Sequence, residues 1–177
     1  MDCAKGGWWR VQWLYERTLD NSARFVLGTV GDNPLVCFGV NPSTAEPNKL
    51  DRTIQGVSKV AVRNGYDSFI MLNVYPQRAT DPNCLHSAAD PTLKSANERQ
   101  ISTLVSGRKL TLWAAWGALI DKRRFLPLLL KDILDLPELA ASEWVSRGAV
   151  SRDGHPHHPL YVKKTATFES FSVARYR

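Results

Sequence analysis

The segment Leu35-Val36-Cys37-Phe38-Gly39-Val40-Asn41-Pro42-Ser43-Thr44 decides the architecture that we expect for this chain. Its first six residues are apolar or glycine, which is typical of a strand inside a sheet that is covered on both faces. The chain then turns polar, with an amide, a proline and two hydroxyls. Ligands of open α/β sheets bind beyond the carboxyl ends of such strands. An ordinary strand-to-helix turn with a Ser or Thr cap is the simpler explanation of this segment taken alone.

A second segment repeats this arrangement. Residues 68–74 form another apolar run, and it also ends in an asparagine, Asn73. Two strands of parallel type therefore each carry an asparagine, Asn41 or Asn73, near their carboxyl end. A buried asparagine amide offers both donors and an acceptor, so it can recognise the edge of a planar amide or of a nucleobase.

The remaining elements complete a prediction of the fold. Apolar runs predict strands at residues 24–30, 109–116 and 143–150, and helical spacing predicts helices at residues 53–64, 93–105 and 117–133. We expect strand 24–30 to pair antiparallel with the central strand. The fold class that follows is α/β, a single three-layer αβα domain with a mainly parallel sheet of about four strands.

The length fits one domain with a sizeable core. We assign all 177 residues to that domain, with a core of about residues 24–162. Residues 1–23 are expected to form a Trp-rich arm, in which residues 8–19 are either a short amphipathic helix or a segment that packs over the sheet. Residues 163–177 are expected to form a basic C-terminal tail.

The charge and composition of the chain indicate which kinds of binding partner to expect. The net charge is +6 and the isoelectric point about 9.4, which favours nucleic acid or a nucleotide as partner, although a small basic excess also serves solubility. Basic side chains cluster at Lys122-Arg123-Arg124 and at Lys163-Lys164. The three cysteines lie far apart without a CxxC pair, which indicates a cytoplasmic protein without a disulfide framework. No apolar run approaches the length of a membrane span, so no membrane is expected, and the oligomeric state stays open.

Three of the four histidines lie in Gly154-His155-Pro156-His157-His158-Pro159-Leu160-Tyr161. No set of acidic or cysteine ligands accompanies these histidines to complete a zinc site, so we expect neither a metal nor a cofactor. The histidines are then either incidental residues of a surface loop or part of a catalytic loop. In the second case an imidazole would donate a hydrogen bond to a leaving group, and the prolines would restrain the backbone that aims it.

Four segments, in this order, resemble motifs of the uracil-DNA glycosylase superfamily. They are Gly39-Val40-Asn41-Pro42-Ser43, Ile70-Met71-Leu72-Asn73 with Arg78-Ala79, Leu112-Trp113-Ala114-Ala115-Trp116-Gly117 with Lys122, and His155-Pro156-His157-His158-Pro159-Leu160. The chain departs from the best-known members in three places. Asn41 stands where they carry an aspartate, and no clear aromatic residue follows the first segment to stack on a flipped base. The loop of residues 154–161, called the histidine loop below, is one residue longer.

A closer similarity is to the domain of unknown function 1643 family of bacterial and phage proteins, over about residues 24–162. The matching segments are Asn41-Pro42-Ser43-Thr44-Ala45, Asp51-Arg52-Thr53, Arg78-Ala79-Thr80-Asp81-Pro82, Ala115-Trp116-Gly117 and residues 154–161. This family carries no assigned activity, so the similarity implies a fold more firmly than a function.

The glycosylase resemblance implies hydrolysis of an N-glycosidic bond in nucleic acid or in a nucleotide. By that resemblance Asn41 would orient water, Asn73 would read the base edge, and His155 or His158 would stabilise the departing base. Leu160 would fill the gap left by a flipped base. Tyr75 is a possible stacking partner for the base. The remaining substrate-binding residues implied are Gly39, Pro42, Ser43, Thr44, Arg52, Arg78 and Gly117.

Two alternatives stay open. The same pocket could belong to a non-catalytic module that binds nucleotides or modified nucleic acid. It could also belong to another nucleotide-processing enzyme on the same scaffold, because a fold does not fix a function. In that enzyme Arg52, Arg78 and the Ser43-Thr44 turn would bind the phosphate of a small nucleotide.

Overall fold

A computed structural model describes residues 11–177, and these residues form a seven-stranded sheet with three α-helices. The strands are β1 (Trp13–Arg17), β2 (Arg24–Thr29), β3 (Pro34–Gly39), β4 (Ser68–Asn73), β5 (Thr111–Ala114), β6 (Glu143–Arg147) and β7 (Phe168–Ser170). The helices are α1 (Arg52–Arg63), α2 (Pro91–Val105) and α3 (Phe125–Leu134). Short 3₁₀ turns lie at Pro82–Cys84, Gly117–Asp121, Pro137–Leu139, Pro159–Tyr161 and Ala174–Tyr176.

The sheet is mixed, with strand order β1-β2-β4-β3-β5-β6-β7. The pairs β4–β3, β3–β5 and β5–β6 are parallel, whereas β1–β2, β2–β4 and β6–β7 are antiparallel. The expected sheet, mainly parallel with about four strands, is therefore wrong, and only the general α/β class remains. The strands missed are edge strands, which are short and carry charged residues such as Glu16 and Glu169.

The expected pairing of strand 24–30 with the central strand is also wrong. β4 lies between β2 and β3, and Leu27 of β2 pairs with Met71 of β4. Strands that follow each other in sequence are often neighbours in a sheet. Here β3 is followed by α1, and the next strand, β4, pairs with β3 on one side and with β2 on the other.

Side-chain capping explains where the first two helices begin. The Asp51 carboxylate accepts from the Ile54 N–H at 2.9 Å, and the Asp90 carboxylate accepts from the Thr92 N–H at 2.8 Å. The third predicted helix is shorter than expected. Residues 117–121 form a 3₁₀ turn, and α3 begins at Phe125, with Pro127 in its first turn.

The sheet separates two apolar clusters. One contains Leu35, Cys37, Met71 and Trp113 of the sheet together with Ile54 and Val57 of α1. The other contains Val36, Phe38 and Leu72 of the sheet together with side chains of α2 and α3. Odd-numbered residues of β3 therefore face α1, and even-numbered ones face α2 and α3.

The two chain ends contribute to the sheet. Trp13 lies in β1, where a helix or an arm was expected, and Trp8 and Trp9 lie outside the described residues. The expected tail contains β7, and Phe171 is buried against the α2–α3 side of the sheet. Across residues 11–177, no helix has both the length and the apolar character that crossing a membrane requires.

Candidate functional site

Asn41 and Asn73 lie at the same edge of the sheet. β3 and β4 are parallel, and Gly39 pairs with Asn73 at the last position of their ladder. The Asn41 amide nitrogen donates to the carbonyl oxygen of Ala79 at 2.8 Å and to that of Pro42 at 3.0 Å. It thereby ties the loop after β3 to the loop after β4. Only the side-chain oxygen of Asn41 is left to orient a water molecule.

Asn73 is the most unusual polar residue of this edge. Its exposure is 0%, yet neither its amide oxygen nor its amide nitrogen has a hydrogen-bond partner among residues 11–177. The backbone is fixed, because Asn97 donates to the Asn73 carbonyl at 2.9 Å. A buried polar group without a partner is costly and rare in native proteins. The amide therefore offers both donor and acceptor capacity that this part of the chain does not use.

The two predicted catalytic histidines differ in what they contact. His155 is buried, and both ring nitrogens are engaged: Nδ1 lies 2.9 Å from the Tyr176 hydroxyl and Nε2 lies 3.0 Å from an Asp121 carboxylate oxygen. This ring joins the histidine loop to the 117–121 turn and to the C-terminal segment. It is thus placed to hold the loop rather than to face a ligand.

One ring nitrogen of His158, Nε2, has no hydrogen-bond partner among residues 11–177. Its Nδ1 accepts from the Leu160 N–H at 3.4 Å, so the neutral ring carries its proton on Nε2. Burial lowers the pKa of His158, and the nearby Asp51 charge partly opposes that effect. A neutral imidazole whose Nε2–H is available can donate a hydrogen bond near neutral pH.

Gly117 connects the histidine loop to β5. Its φ of +59° lies in the left-handed region, which favours glycine. A Cβ at this position would lie 3.6 Å from the His158 backbone nitrogen, so the two chain segments are in contact. The turn at Pro159–Tyr161 also contacts α1. Gly117 and His158 therefore lie beside the α1 face, the face toward which Gly39 and Asn73 point.

A cavity of about 310 Å³ lies between the loop after β3 and the loop after β4. Its lining includes three residues that the sequence predicts, Ser43, Thr44 and Arg78. The Arg78 guanidinium donates to the carbonyls of Ser43 and Ala45 and, at 2.9 Å, to the Tyr15 hydroxyl. The other lining residues are Asn21, Glu46, Lys49, Ala79 and Thr80.

Sequence reasoning missed Arg24, which is 1% exposed and donates to the Ala45 carbonyl at 3.1 Å. Burial, followed by the neighbouring Arg78 charge, lowers the pKa of Arg24 to about 10. The signal available in the sequence was an arginine at the head of an apolar strand. Thr80 was missed as well, and its hydroxyl lies 2.9 Å from that of Ser43.

Other predicted residues lie elsewhere. Tyr75 is fully buried on the α2–α3 side, and its hydroxyl lies 2.7 Å from His86 Nδ1, so it does not present a free ring face. Arg52 is exposed at the first turn of α1, Pro42 is buried, and Leu160 is 49% exposed. Arg123 of the basic triplet donates to the carbonyls of residues 83, 85 and 86.

The described residues thus form an α/β domain with polar side chains gathered at the carboxyl edge of its parallel strands. A family model for proteins of unknown function, DUF1643, matches residues 24–160. The chain belongs to that family. No curated protein and no solved structure matches the chain. Within residues 11–177 no group of three or more His, Cys, Asp or Glu side chains could hold a metal ion.

Proposed function

We propose that this protein hydrolyses the N-glycosidic bond of a nucleotide, either free or within nucleic acid. The observation that carries this proposal is the Asn73 amide, which is completely buried and has no partner at either end among residues 11–177. The donor and acceptor groups of such an amide match those of a nucleobase edge. The amide lies at the carboxyl end of a strand inside the sheet, where α/β folds bind their ligands.

The two neighbouring groups supply what the reaction needs. The Asn41 side-chain oxygen would orient a water molecule toward the anomeric carbon of the sugar. As the oxygen of that water bonds to the carbon, the carbon–nitrogen bond breaks and its electron pair leaves with the base. The Nε2–H of His158 would donate a hydrogen bond to the base as this negative charge develops. The products are the free base, which takes up a proton, and the sugar with a new hydroxyl.

The test is release of a free base. The purified protein is incubated with nucleotides of each base and with single- and double-stranded oligonucleotides, and free bases are measured by chromatography with mass detection. We expect one base to be released by the wild type and not by Asn73→Ala. Binding of a nucleotide without release of a base would overturn the hydrolase and favour a non-catalytic module. A product other than a base would favour another nucleotide-processing enzyme.

A further inference from the structure

A second group of polar side chains lies beside the proposed base site. We call it the arginine pocket, and it consists of Arg24, Ser43, Lys49, Arg78 and Thr80. All but Arg24 line the cavity between the two loops, and Arg24 donates to the same Ala45 carbonyl as Arg78. The Nε atoms of both arginines are buried and have no hydrogen-bond partner among residues 11–177.

The charges of this pocket are not balanced locally. Within residues 11–177, no carboxylate lies within 4 Å of the Arg24 or Arg78 guanidinium. Asp51 acts on Arg24 only from a longer distance. Glu46 lines the cavity and accepts from Asn21 at 3.0 Å, so its single negative charge stands against the three positive charges of Arg24, Lys49 and Arg78. Arg24 is buried and Arg78 is half-buried, and two like charges in such a place without a close counter-ion are unfavourable, so an anion would relieve that cost.

The need to hold the loop after β3 in place does not explain why both Arg24 and Arg78 are arginines. The bonds to the Ser43 and Ala45 carbonyls fasten the loop after β3, yet neutral donors can make bonds of this kind without placing two charges side by side. Each of the two arginines keeps an Nε–H that no group among residues 11–177 accepts, and a charged N–H donor is suited to a phosphate oxygen. The hydroxyls of Ser43 and Thr80 and the Lys49 ammonium add further donors in the same cavity.

We propose that the arginine pocket binds the phosphate group of the ligand, and the inference rests on the proposed function only for the identity of the base. The cavity, at about 310 Å³, is at the small end of the range for ligand sites, so it suits a phosphate and part of its sugar. The Asn41 amide donates to the Ala79 carbonyl, and Ala79 lines the cavity, while Asn41 follows two residues after Gly39, which pairs with Asn73. The ligand that fits both sites is a phosphorylated nucleoside.

The test uses ribose 5-phosphate, which carries no base, so it reports on the arginine pocket without involving Asn73. We expect calorimetry to show that the wild type binds ribose 5-phosphate and does not bind ribose. Arg78→Gln should weaken this binding about tenfold to hundredfold, which is the usual loss for a charge-assisted hydrogen bond. The matched control is Arg123→Gln, because Arg123 also fastens a loop through backbone carbonyls but lies outside the cavity. It should lower stability and leave binding unchanged.

A measurement on the wild-type protein keeps the test valid if Arg78→Gln does not fold. The buried Nε–H groups of Arg24 and Arg78 should give protected signals in nitrogen-correlated NMR spectra, and ribose 5-phosphate should shift both. The absence of binding to ribose 5-phosphate and to inorganic phosphate, or binding that leaves both signals unmoved, would overturn the phosphate site. Base release from unphosphorylated nucleosides in the same protein would then show that the proposed hydrolase stands without it. Binding of ribose 5-phosphate or inorganic phosphate without any base release would show that the phosphate site stands and the proposed hydrolase does not.

Discussion

Gly39 and Asn73 face each other at the last position of the parallel β3–β4 ladder, and the amide of Asn73 lies above the glycine. A Cβ on residue 39 would come within 3.1 Å of the Asn73 amide oxygen and within 2.7 Å of the terminal methyl of Met71. Glycine is therefore what lets the amide keep its position beside β3. The same position leaves the amide without a hydrogen-bond partner among residues 11–177, and an unpaired buried amide lowers stability.

That relationship predicts that Asn73→Leu raises stability while it removes function. A buried polar group without a partner costs about 1–3 kcal/mol, and leucine has the same branching and number of side-chain heavy atoms as asparagine but needs no hydrogen bond. We expect the midpoint of thermal unfolding to rise by roughly 2–4 °C for each kcal/mol gained in a domain of this size. Base release and nucleotide binding should fall below detection in the same variant.

Asn97→Leu is the matched control for that experiment. Asn97 is also a buried asparagine, but its amide nitrogen donates to the carbonyls of Asn73 and Val74. Its replacement leaves carbonyls without a donor and should lower stability. If Asn73→Leu instead lowers stability as Asn97→Leu does, and nucleotide binding survives, Asn73 is a structural residue and the proposed base site is wrong.

Replacement of His158 and of His155 by alanine should affect different properties of the protein. His158→Ala should reduce base release by about 10²–10³-fold with nearly unchanged nucleotide affinity, because a donor to the developing charge acts mainly in the transition state. His155→Ala should lower the midpoint of unfolding, because it removes the contacts to Tyr176 and Asp121. His157→Ala is the control within the loop. Equal losses of stability and affinity in the His158 and His155 variants, without a separate loss of rate, would contradict a catalytic role.

The sequence predicts the bounds of single strands and helices better than it predicts which strands lie next to each other in the sheet. β3, β4 and α1 were found close to their true bounds, because continuous apolar runs and helical spacing are encoded within a few residues. The order of the sheet was not found, since the insertion of β4 between β2 and β3 depends on contacts between distant segments. β7 was missed because a strand of three residues, Phe168–Ser170, carries too little pattern to be recognised.

The same limit applies to the site. Asparagine after an apolar run and clustered histidines are unusual in themselves, so the sequence alone makes Asn73 and the histidine loop candidates, and their roles stay predictions. An arginine at the head of an apolar strand marks Arg24 as unusual, but nothing local reveals that its guanidinium shares the Ala45 carbonyl with Arg78. Likewise, two histidines three residues apart look equivalent in sequence. Only the structure shows that both nitrogens of His155 are engaged, whereas Nε2 of His158 has no hydrogen-bond partner in the part of the chain that the structure describes.

The lowered pKa of His158 predicts a pH-dependent contribution to stability. Because burial depresses the folded pKa below the ordinary value of 6.5, the unfolded chain binds the proton more readily. The contribution of the neutral ring is therefore complete above pH 6.5 and is lost as the pH falls through the folded pKa. Urea unfolding between pH 5 and 8 should show a smaller loss of stability at the acidic end for His158→Gln than for the wild type.

His157→Gln serves as the control for the loss of one imidazole in the same loop. The lowered pKa of Asp20, about 2, and that of Asp67 place their transitions at more acidic pH, outside this window. If His158→Gln and the wild type lose the same free energy of unfolding toward pH 5, the ring is not desolvated in the folded protein. There would then be no reason to favour His158 as the hydrogen-bond donor to the leaving base.

Salt dependence separates a single nucleotide from nucleic acid as the ligand. Each phosphate neutralised on duplex DNA adds about −0.9 to the slope of log affinity against log salt. A single nucleotide carries no condensed layer of counterions, so we expect the affinity for a nucleoside 5′-monophosphate to fall only weakly with salt. For a duplex oligonucleotide we expect a slope no steeper than about −1, because the proposed phosphate site holds one phosphate and Arg123 already bonds backbone carbonyls. Replacing Lys163 and Lys164 together by Gln should leave this slope unchanged. A slope of several units with duplex DNA that flattens in the double variant would instead place a nucleic-acid backbone along the C-terminal basic residues.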